Sequence, residues 1–372
     1  MEIGINKTIV ISAVNFSDGG PLTVLQDCVN TALLTLSEQW DIVALVHKQS
    51  LLPDSPRLRV FEFPSAKSSW LRRLYYEWWV FYKLSKRLKP AFWLSLHDIT
   101  PIVSCEKQAV YCHNPAPFAK LSFKNAWLEP KLLMFNLFYR YLYGFRIKKN
   151  KYVVVQQEWL RECFEKMYQL SNVVVAYPQV SANSNSLTTA ENKNKKINTF
   201  IYPTLPRVLK NIEFICEAVK AINQNGIVNF KVLLTLDGTE NRYSKWLYKK
   251  YSHLTSLSFI GYQNKQQMKE LYEKADCLLF SSKIETWGLP LSEAKLYGLP
   301  IMVADLPYAH ETVGKYCKVN FFNLQNVNEL SNLIVSAVNG DIVWCESSRA
   351  SPQSLFVDSW PSLLNFLIQD IK

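Results

Sequence analysis

Long apolar runs are missing from this 372-residue chain. No stretch reaches the ~18 uninterrupted apolar residues of a membrane span. The nearest approach, residues 132–145, is broken by Asn136 and Arg140. The opening residues, MEIGINKTIVISAVNF, carry neither a basic n-region nor a small-residue cleavage site, so no secretory leader is expected. The eight cysteines include no CxxC pair, which removes a zinc ribbon or a thioredoxin-type motif. Most lie in apolar strand or helix patterns and are expected to be reduced core residues of a cytoplasmic protein. There is no P-loop, no HExxH, no Ser-His-Asp pattern and no D-x-D. No repeat of about 20–50 residues is visible, so a solenoid is not expected.

What is present suits a folded protein of two domains, with 48% hydrophobic and 20% charged residues. The net charge of +11 is uneven. Residues 1–180 hold 22 Lys and Arg against 14 Asp and Glu, and the remainder 20 against 17. The excess concentrates in residues 57–89 and 140–151, both rich in Trp and Tyr. Basic charge beside interfacial aromatics suits an anionic membrane surface. Nucleic acid is the other partner such charge could serve, and a solvated basic face is the third reading.

Apolar strands alternate with amphipathic helices, which predicts α/β domains with parallel sheets. Residues 8–14, 41–46, 58–63, 91–96, 108–112, 152–155 and 173–176 read as strands. Helices are expected over 22–36, 69–88 and 129–144, with residues 18–21 as a turn. Residues 181–198, SANSNSLTTAENKNKKIN, cannot bury a core and read as a linker or surface loop. The pattern then restarts, with strands at 200–202, 230–234, 257–260, 276–280, 301–303 and 319–322. The division expected is therefore 1–180, a linker at 181–198, a second domain at 199–350, and a terminal segment at 351–372. Its last helix, residues 354–371, carries Phe356, Trp360, Leu363, Leu364 and Leu367 on one side. Two such halves leave a cleft between the carboxyl ends of their strands, where open α/β sheets bind ligands.

The most telling stretch is ETWGLPLSEAKLYGLP, residues 285–300. Glu285 and Glu293 stand eight apart. Pro290 suits a helix start, and Gly298 with Pro300 ends that helix. Backbone N–H groups near Gly288 and Leu289 would then face a phosphate, because a helix N-terminus carries unpaired donors and partial positive charge. Glu285 and Glu293 would reach hydroxyls on either side of it, and a phosphate flanked by two polyols describes a nucleotide sugar. Two glutamates that merely cap a helix are the plainer alternative.

This segment resembles the E-x7-E signature of family 4 glycosyltransferases, retaining enzymes of the GT-B fold, in which two Rossmann-like domains face across a cleft. The resemblance covers nearly the whole chain. It implies that Glu285 contacts the donor sugar and Glu293 the ribose. It also implies that Arg207 and Lys210, in YPTLPRVLKN, bind the donor diphosphate, although the spacing is short and Pro203 stands where glycine is frequent. His113, in VYCHNPAPF, resembles the first-domain histidine that touches the donor sugar. His97 and Asp98, in LSLHDITP, would orient His113 or touch the acceptor, or Asp98 simply caps a turn. Gly19 and Gly20 follow the first strand, where the family carries a glycine loop. Gly261 and Tyr262 are expected at the nucleobase and Ser282 at phosphate. Cations and a helix terminus in place of D-x-D imply that no metal and no other cofactor is required. A terminal helix crossing back to the first domain is also a family feature.

The segments LSLHDITP, VYCHNPAPF and VVVQQEWL further resemble bacterial enzymes that build surface polysaccharide such as O-antigen. The expected reaction moves a hexose-type sugar from a nucleotide donor to a hydroxyl of a polyprenyl-diphosphate-linked glycan, at the cytoplasmic face of the inner membrane. The alternatives are a nucleotide-sugar epimerase of the same fold and a non-enzymatic basic protein. The latter leaves Glu285, Glu293 and Lys210 unexplained, so no nucleic-acid partner is expected. Docking to membrane is expected through residues 69–88, with Trp70, Leu74, Trp78, Phe81 and Leu88 at helical spacing and Arg72, Arg73, Lys83, Lys86 and Arg87 supplying charge.

Overall fold

The computed structural model describes residues 6–17, 19–178, 196–348, 355–369 and 371. The near-continuous apolar runs of the sequence become parallel strands buried on both faces, as crossover connections require. In the first half these are β1 (Lys7–Ala13), β2 (Trp40–Val46), β3 (Leu58–Glu62), β4 (Phe92–Ser95), β5 (Lys107–Cys112), β6 (Tyr152–Val155) and β7 (Val173–Ala176). In the second they are β8 (Thr199–Tyr202), β9 (Lys231–Leu234), β10 (Leu257–Phe259), β11 (Cys277–Phe280), β12 (Ile301–Ala304), β13 (Tyr316–Phe322) and β14 (Cys345–Ser347), followed by β15 (Phe356–Val357).

Among the described residues the strands form two sheets, ordered β15-β7-β6-β5-β4-β1-β2-β3 and β10-β9-β8-β11-β12-β13-β14. All pairings are parallel except β13 with β14. Each sheet therefore winds outward in both directions from a central pair, β1 with β4 and β8 with β11. At such a reversal of strand order the connecting loops diverge and leave a crevice at the carboxyl ends of the strands.

Two compact units result. One comprises Met1–Pro117, Leu137–Gln179 and Pro352–Lys372, the other Phe118–Asn136 and Val180–Ser351. Residues 118–136, read from the sequence as part of the first domain, thus pack with the second. The helix Phe123–Leu128 explains this. The guanidinium of Arg242 lies 3.4 Å from the Trp127 ring centroid, and Lys124 lies over Trp246. Glu129 then accepts the backbone N–H of Val208. Of the expected linker, residues 181–195 lie outside the described part, and Ile197 is buried in the second unit.

Three other elements differ from their sequence readings. The first helix begins at Gly19 rather than Leu22, so Gly19 and Gly20 are its opening residues, and Asp18 lies outside the described residues. The helix expected over 69–88 is interrupted by a π-helical turn, Tyr76–Val80, between Trp70–Tyr75 and Phe81–Leu88. The terminal segment forms β15 beside β7 before its helix, Trp360–Ile368, begins. That helix packs into the first unit's core with the helix Gly19–Thr35, and Trp360 stacks on Tyr111 with centroids 5.6 Å apart. Of the cysteines, Cys28, Cys112, Cys216 and Cys277 are buried, whereas Cys317 and Cys345 are exposed on the antiparallel pair β13 and β14.

Trp360 is almost wholly buried. Trp360→Ala should lower the stability of the first unit by about 3–5 kcal/mol, as deletion of a buried aromatic ring does. Urea denaturation followed by circular dichroism measures this, and a loss below about 1 kcal/mol would mean that the terminal helix is not part of that core.

Candidate functional site

The loops at the reversal point of the second sheet bring Lys210 and Glu285 together. Lys210 ends a short 3-10 turn, Val208–Lys210, after β8, and Glu285 follows β11. Lys210 Nζ lies 2.5 Å from Glu285 Oε1, and both side chains are mostly sheltered. The backbone beneath is pinned. The Tyr202 hydroxyl and Ser281 Oγ both donate to the Lys210 carbonyl, at 2.6 and 3.2 Å. The Lys283 N–H donates to the Leu209 carbonyl. Ser282 Oγ is buried against the carbonyls of Leu209 and Ile284, so this hydroxyl ties the two loops together instead of facing open space.

After Glu285 the chain turns into the helix Leu289–Leu296. Gly288 is its N-cap, at φ +84°, and a Cβ there would press on Leu291 at 3.3 Å and Phe280 at 3.5 Å. Only glycine takes that turn without strain. Pro290 stands second in the helix, where its missing N–H costs nothing. Glu293 is the fifth residue, one position past the first turn in which it was expected, and it accepts a 2.7 Å hydrogen bond from Tyr272. Burial, then the Glu293 carboxylate, raise the Tyr272 pKa well above the usual phenol range, so Tyr272 stays a donor.

Arg207 does not join this pair. Its guanidinium is ion-paired with Glu129, and its side chain is 60% exposed. The reason is the packing of residues 118–136 described above, which the sequence does not announce. Gly261 lies at the end of β10 with φ +71°, where a Cβ would meet Asp237. Tyr262 beside it is exposed. A cavity of about 580 Å³ opens next to the Lys210–Glu285 pair, lined by Leu209, Asn211, Lys283, Ile284, Asp305 and Asn323 among others. These residues follow β8, β11, β12 and β13. Small-molecule sites span roughly 300–1,000 Å³.

In the first unit the corresponding loops carry a buried polar cluster. Gly19 has φ +62° at the start of its helix. His97 is fully buried, with Nδ1 2.8 Å from Glu77 Oε1 and Nε2 3.0 Å from Ser12 Oγ. Asp98 adopts φ +70° and accepts the His113 backbone N–H at 2.8 Å and the Tyr143 hydroxyl at 2.9 Å. Tyr139 donates to its other oxygen at 3.3 Å. Burial lowers the His113 pKa, which Asp98 partly offsets and His97 and Arg73 reinforce. Glu77, Tyr139 and Tyr143 are absent from the sequence-based candidates, and Arg73 was read only as membrane-facing charge. The available signals were Glu77 amid apolar residues, four after Arg73, and two tyrosines four apart.

Residues 185–350 match the family described as glycosyl transferases group 1. The O-antigen chain mannosyltransferase RfbU of Salmonella typhimurium is 22% identical over 258 residues, covering 67% of each chain. The UDP-N-acetylglucosamine–peptide N-acetylglucosaminyltransferase GtfA subunit of Streptococcus parasanguinis is 28% identical over 183 residues, 48% of this chain. That match spans only 35% of the GtfA subunit's length. WaaG, a glycosyltransferase involved in lipopolysaccharide biosynthesis, shares the fold with a TM-score of 0.64 at 16% identity, over 97% of this chain and 100% of its own. The chain has the GT-B fold, matches the glycosyl transferases group 1 family over residues 185–350, and resembles the glycosyltransferases of lipopolysaccharide and O-antigen synthesis.

Proposed function

We propose that the chain transfers a hexose-type sugar from a nucleotide-sugar donor to a hydroxyl of a glycan acceptor in bacterial surface-polysaccharide synthesis, with retention at the anomeric carbon. The observation that carries this is the Lys210–Glu285 pair at the strand-order reversal, beside a helix N-terminus opened by Gly288. As the glycosidic bond breaks, negative charge develops on the diphosphate. In this reading Lys210 and the Leu289 N–H stabilise it, which is worth most where charge appears only in the transition state. The departing phosphate oxygen takes the acceptor proton. Glu285 accepts from sugar hydroxyls and Glu293, held by Tyr272, from the ribose. Tyr262 offers an exposed ring for the base. Arg207, committed to Glu129, has no part in this reading.

The acceptor is proposed to be lipid-linked, and the first unit to dock on anionic membrane. The face differs from that expected. Phe81 and Arg73 are buried, so neither is available to lipid. Trp70 is exposed as expected, and beside it the exposed apolar residues are Leu71, Tyr75, Trp79 and Tyr82, with Leu71 81% and Trp79 64% exposed. The helix Pro130–Gly144 adds Leu137, Phe138 and Tyr141. Contacts of Trp70 with Tyr139 and Trp78 with Phe145 bring the two helices side by side. Arg72, Lys83, Lys86, Arg87 and Arg140 are exposed on the same helices. Each basic residue near an anionic surface contributes about 1 kcal/mol. Among the described residues no helix is long and apolar enough to cross a membrane.

A thermal-shift panel of UDP, GDP, dTDP and their sugars should show one nucleotide raising Tm, since a ligand bound only by the native state stabilises it. With that donor, Glu285→Gln should cut turnover about 100-fold with little loss of stability, and near-normal transfer by this variant would remove Glu285 from the mechanism. Transfer should persist in excess EDTA, and strict dependence on Mg²⁺ or Mn²⁺ would move the diphosphate site elsewhere. Co-sedimentation with anionic liposomes should be strong at low salt and weak at high salt. It should drop in a Leu71→Ser, Tyr75→Ser, Trp79→Ser variant, and equal pelleting with neutral liposomes would count against docking by this face.

A further inference from the structure

Asp98 is under more constraint than a turn residue needs. Its backbone sits at φ +70°, a region that costs a non-glycine residue energy unless its surroundings impose it. The surroundings do so. The Arg73 guanidinium donates to the carbonyl of His97, the preceding residue. Arg73 and Glu77 face inward together, four apart on a helix that a π turn re-phases at Tyr76–Val80. Such turns often mark functional positions. Tyr139 and Tyr143, both buried, then hold the carboxylate oxygens. Burial, followed by Asp98 itself, raises the pKa of both phenols above the usual range, so both remain hydrogen-bond donors.

This carboxylate faces the imidazole of His113, with Oδ2 3.8 Å from Nε2. The separation is too long for a hydrogen bond. It is short enough that a proton on Nε2 is attracted and a lone pair there repelled. The ring is wedged against Phe16, with centroids 5.1 Å apart, and lies near Tyr111. Its Nδ1 is buried and has no hydrogen-bond partner among the described residues. Burial lowers the His113 pKa, so at neutral pH one ring nitrogen carries a proton and the other is an acceptor. A buried acceptor left unpaired costs free energy and points to a group that arrives later.

We propose that Asp98 is a positioning residue that keeps the His113 proton on Nε2, leaving Nδ1 to accept a hydrogen bond from a hydroxyl of a bound sugar. This rests on the reading of the chain as a sugar-transferring enzyme, and it adds the device that sets the tautomer. Asp98 touches no substrate in this arrangement and acts through His113. The groups facing His113 are Asp98, which favours its charged form, and His97 and Arg73, which oppose it.

The test is ¹⁵N NMR of histidine-labelled protein, with the His113 signals assigned by their loss in His113→Ala. The chain has five histidines, so the assignment is tractable. Wild type should show the Nε2–H tautomer. Asp98→Asn suits this backbone, because asparagine tolerates the left-handed region. It places an amide donor opposite Nε2, so the proton should move to Nδ1 and His113 should titrate at lower pH than in wild type. Turnover should fall about 10–100-fold with donor KM nearly unchanged. Asp98→Gly, which removes the carboxylate at a backbone that glycine takes without strain, should likewise abolish the Nε2 preference and lower the His113 titration, and it serves if Asp98→Asn does not fold. A wild-type proton on Nδ1, or unchanged tautomer and titration in the folded variants, would overturn the assignment. The spectra do not depend on activity. Failure to transfer from any nucleotide sugar would remove the transferase reading and leave the tautomer result standing.

Discussion

Lys210 and Glu285 come from loops that leave adjacent strands, β8 and β11, and then run to opposite sides of the sheet. Everything around them serves to keep two opposite charges close without letting them collapse into the core. Tyr202 and Ser281 hold the Lys210 carbonyl, Ser282 and Lys283 bind the loops edge to edge, and Gly288 turns the chain away before its next helix. An ion pair in this setting gains little by itself, since desolvation offsets much of the attraction. What the pair does is leave each charge compensated by the other while it joins the two loops.

The first unit solves a related problem differently. Arg73, Glu77, His97 and Asp98 are almost wholly buried, and each must be satisfied from within. For His97 and Asp98 the partners stand on separate elements: Ser12 from β1, Tyr139 and Tyr143 from the helix Pro130–Gly144, and the backbone of His113 after β5, while Glu77 rests on its ion pairs with Arg73 and His97. Polar groups buried this way cost much more when one member is removed than the intact set contributes. A network of this kind favours one arrangement of the loops after β4 and β5 over any other.

Much of the fold was legible because parallel strands buried on both faces appear as unbroken apolar runs. The strand at 152–155 fell where expected, and that expected over 276–280 begins one residue later. Lys210, Glu285 and Gly288 were legible because their setting is local: a strand, a loop, then a helix start. What escaped notice depends on distant contacts. The partner of Arg207 lies 78 residues away in sequence, and no local pattern reveals that Glu129 will claim it. Arg73 turns inward to His97 and Glu77, contacts that helical periodicity cannot show, and that periodicity placed it among the surface charges. β15 has two residues and carries no periodic signal at all.

The segment Phe118–Asn136 has a consequence for how this polypeptide can be divided. It belongs to the second unit, while the residues before and after it belong to the first, and the chain returns to the first unit again at Pro352. The backbone therefore passes between the units four times, and no single cut separates them. A fragment made from residues 181–350 alone would match the recognised sequence family yet lack the helix Phe123–Leu128. Arg242 would lose the ring it lies over, and Arg207 and the Val208 N–H would lose Glu129, two residues from Lys210. The family's own boundary, read along the sequence, cuts through a folding unit that is contiguous only in space.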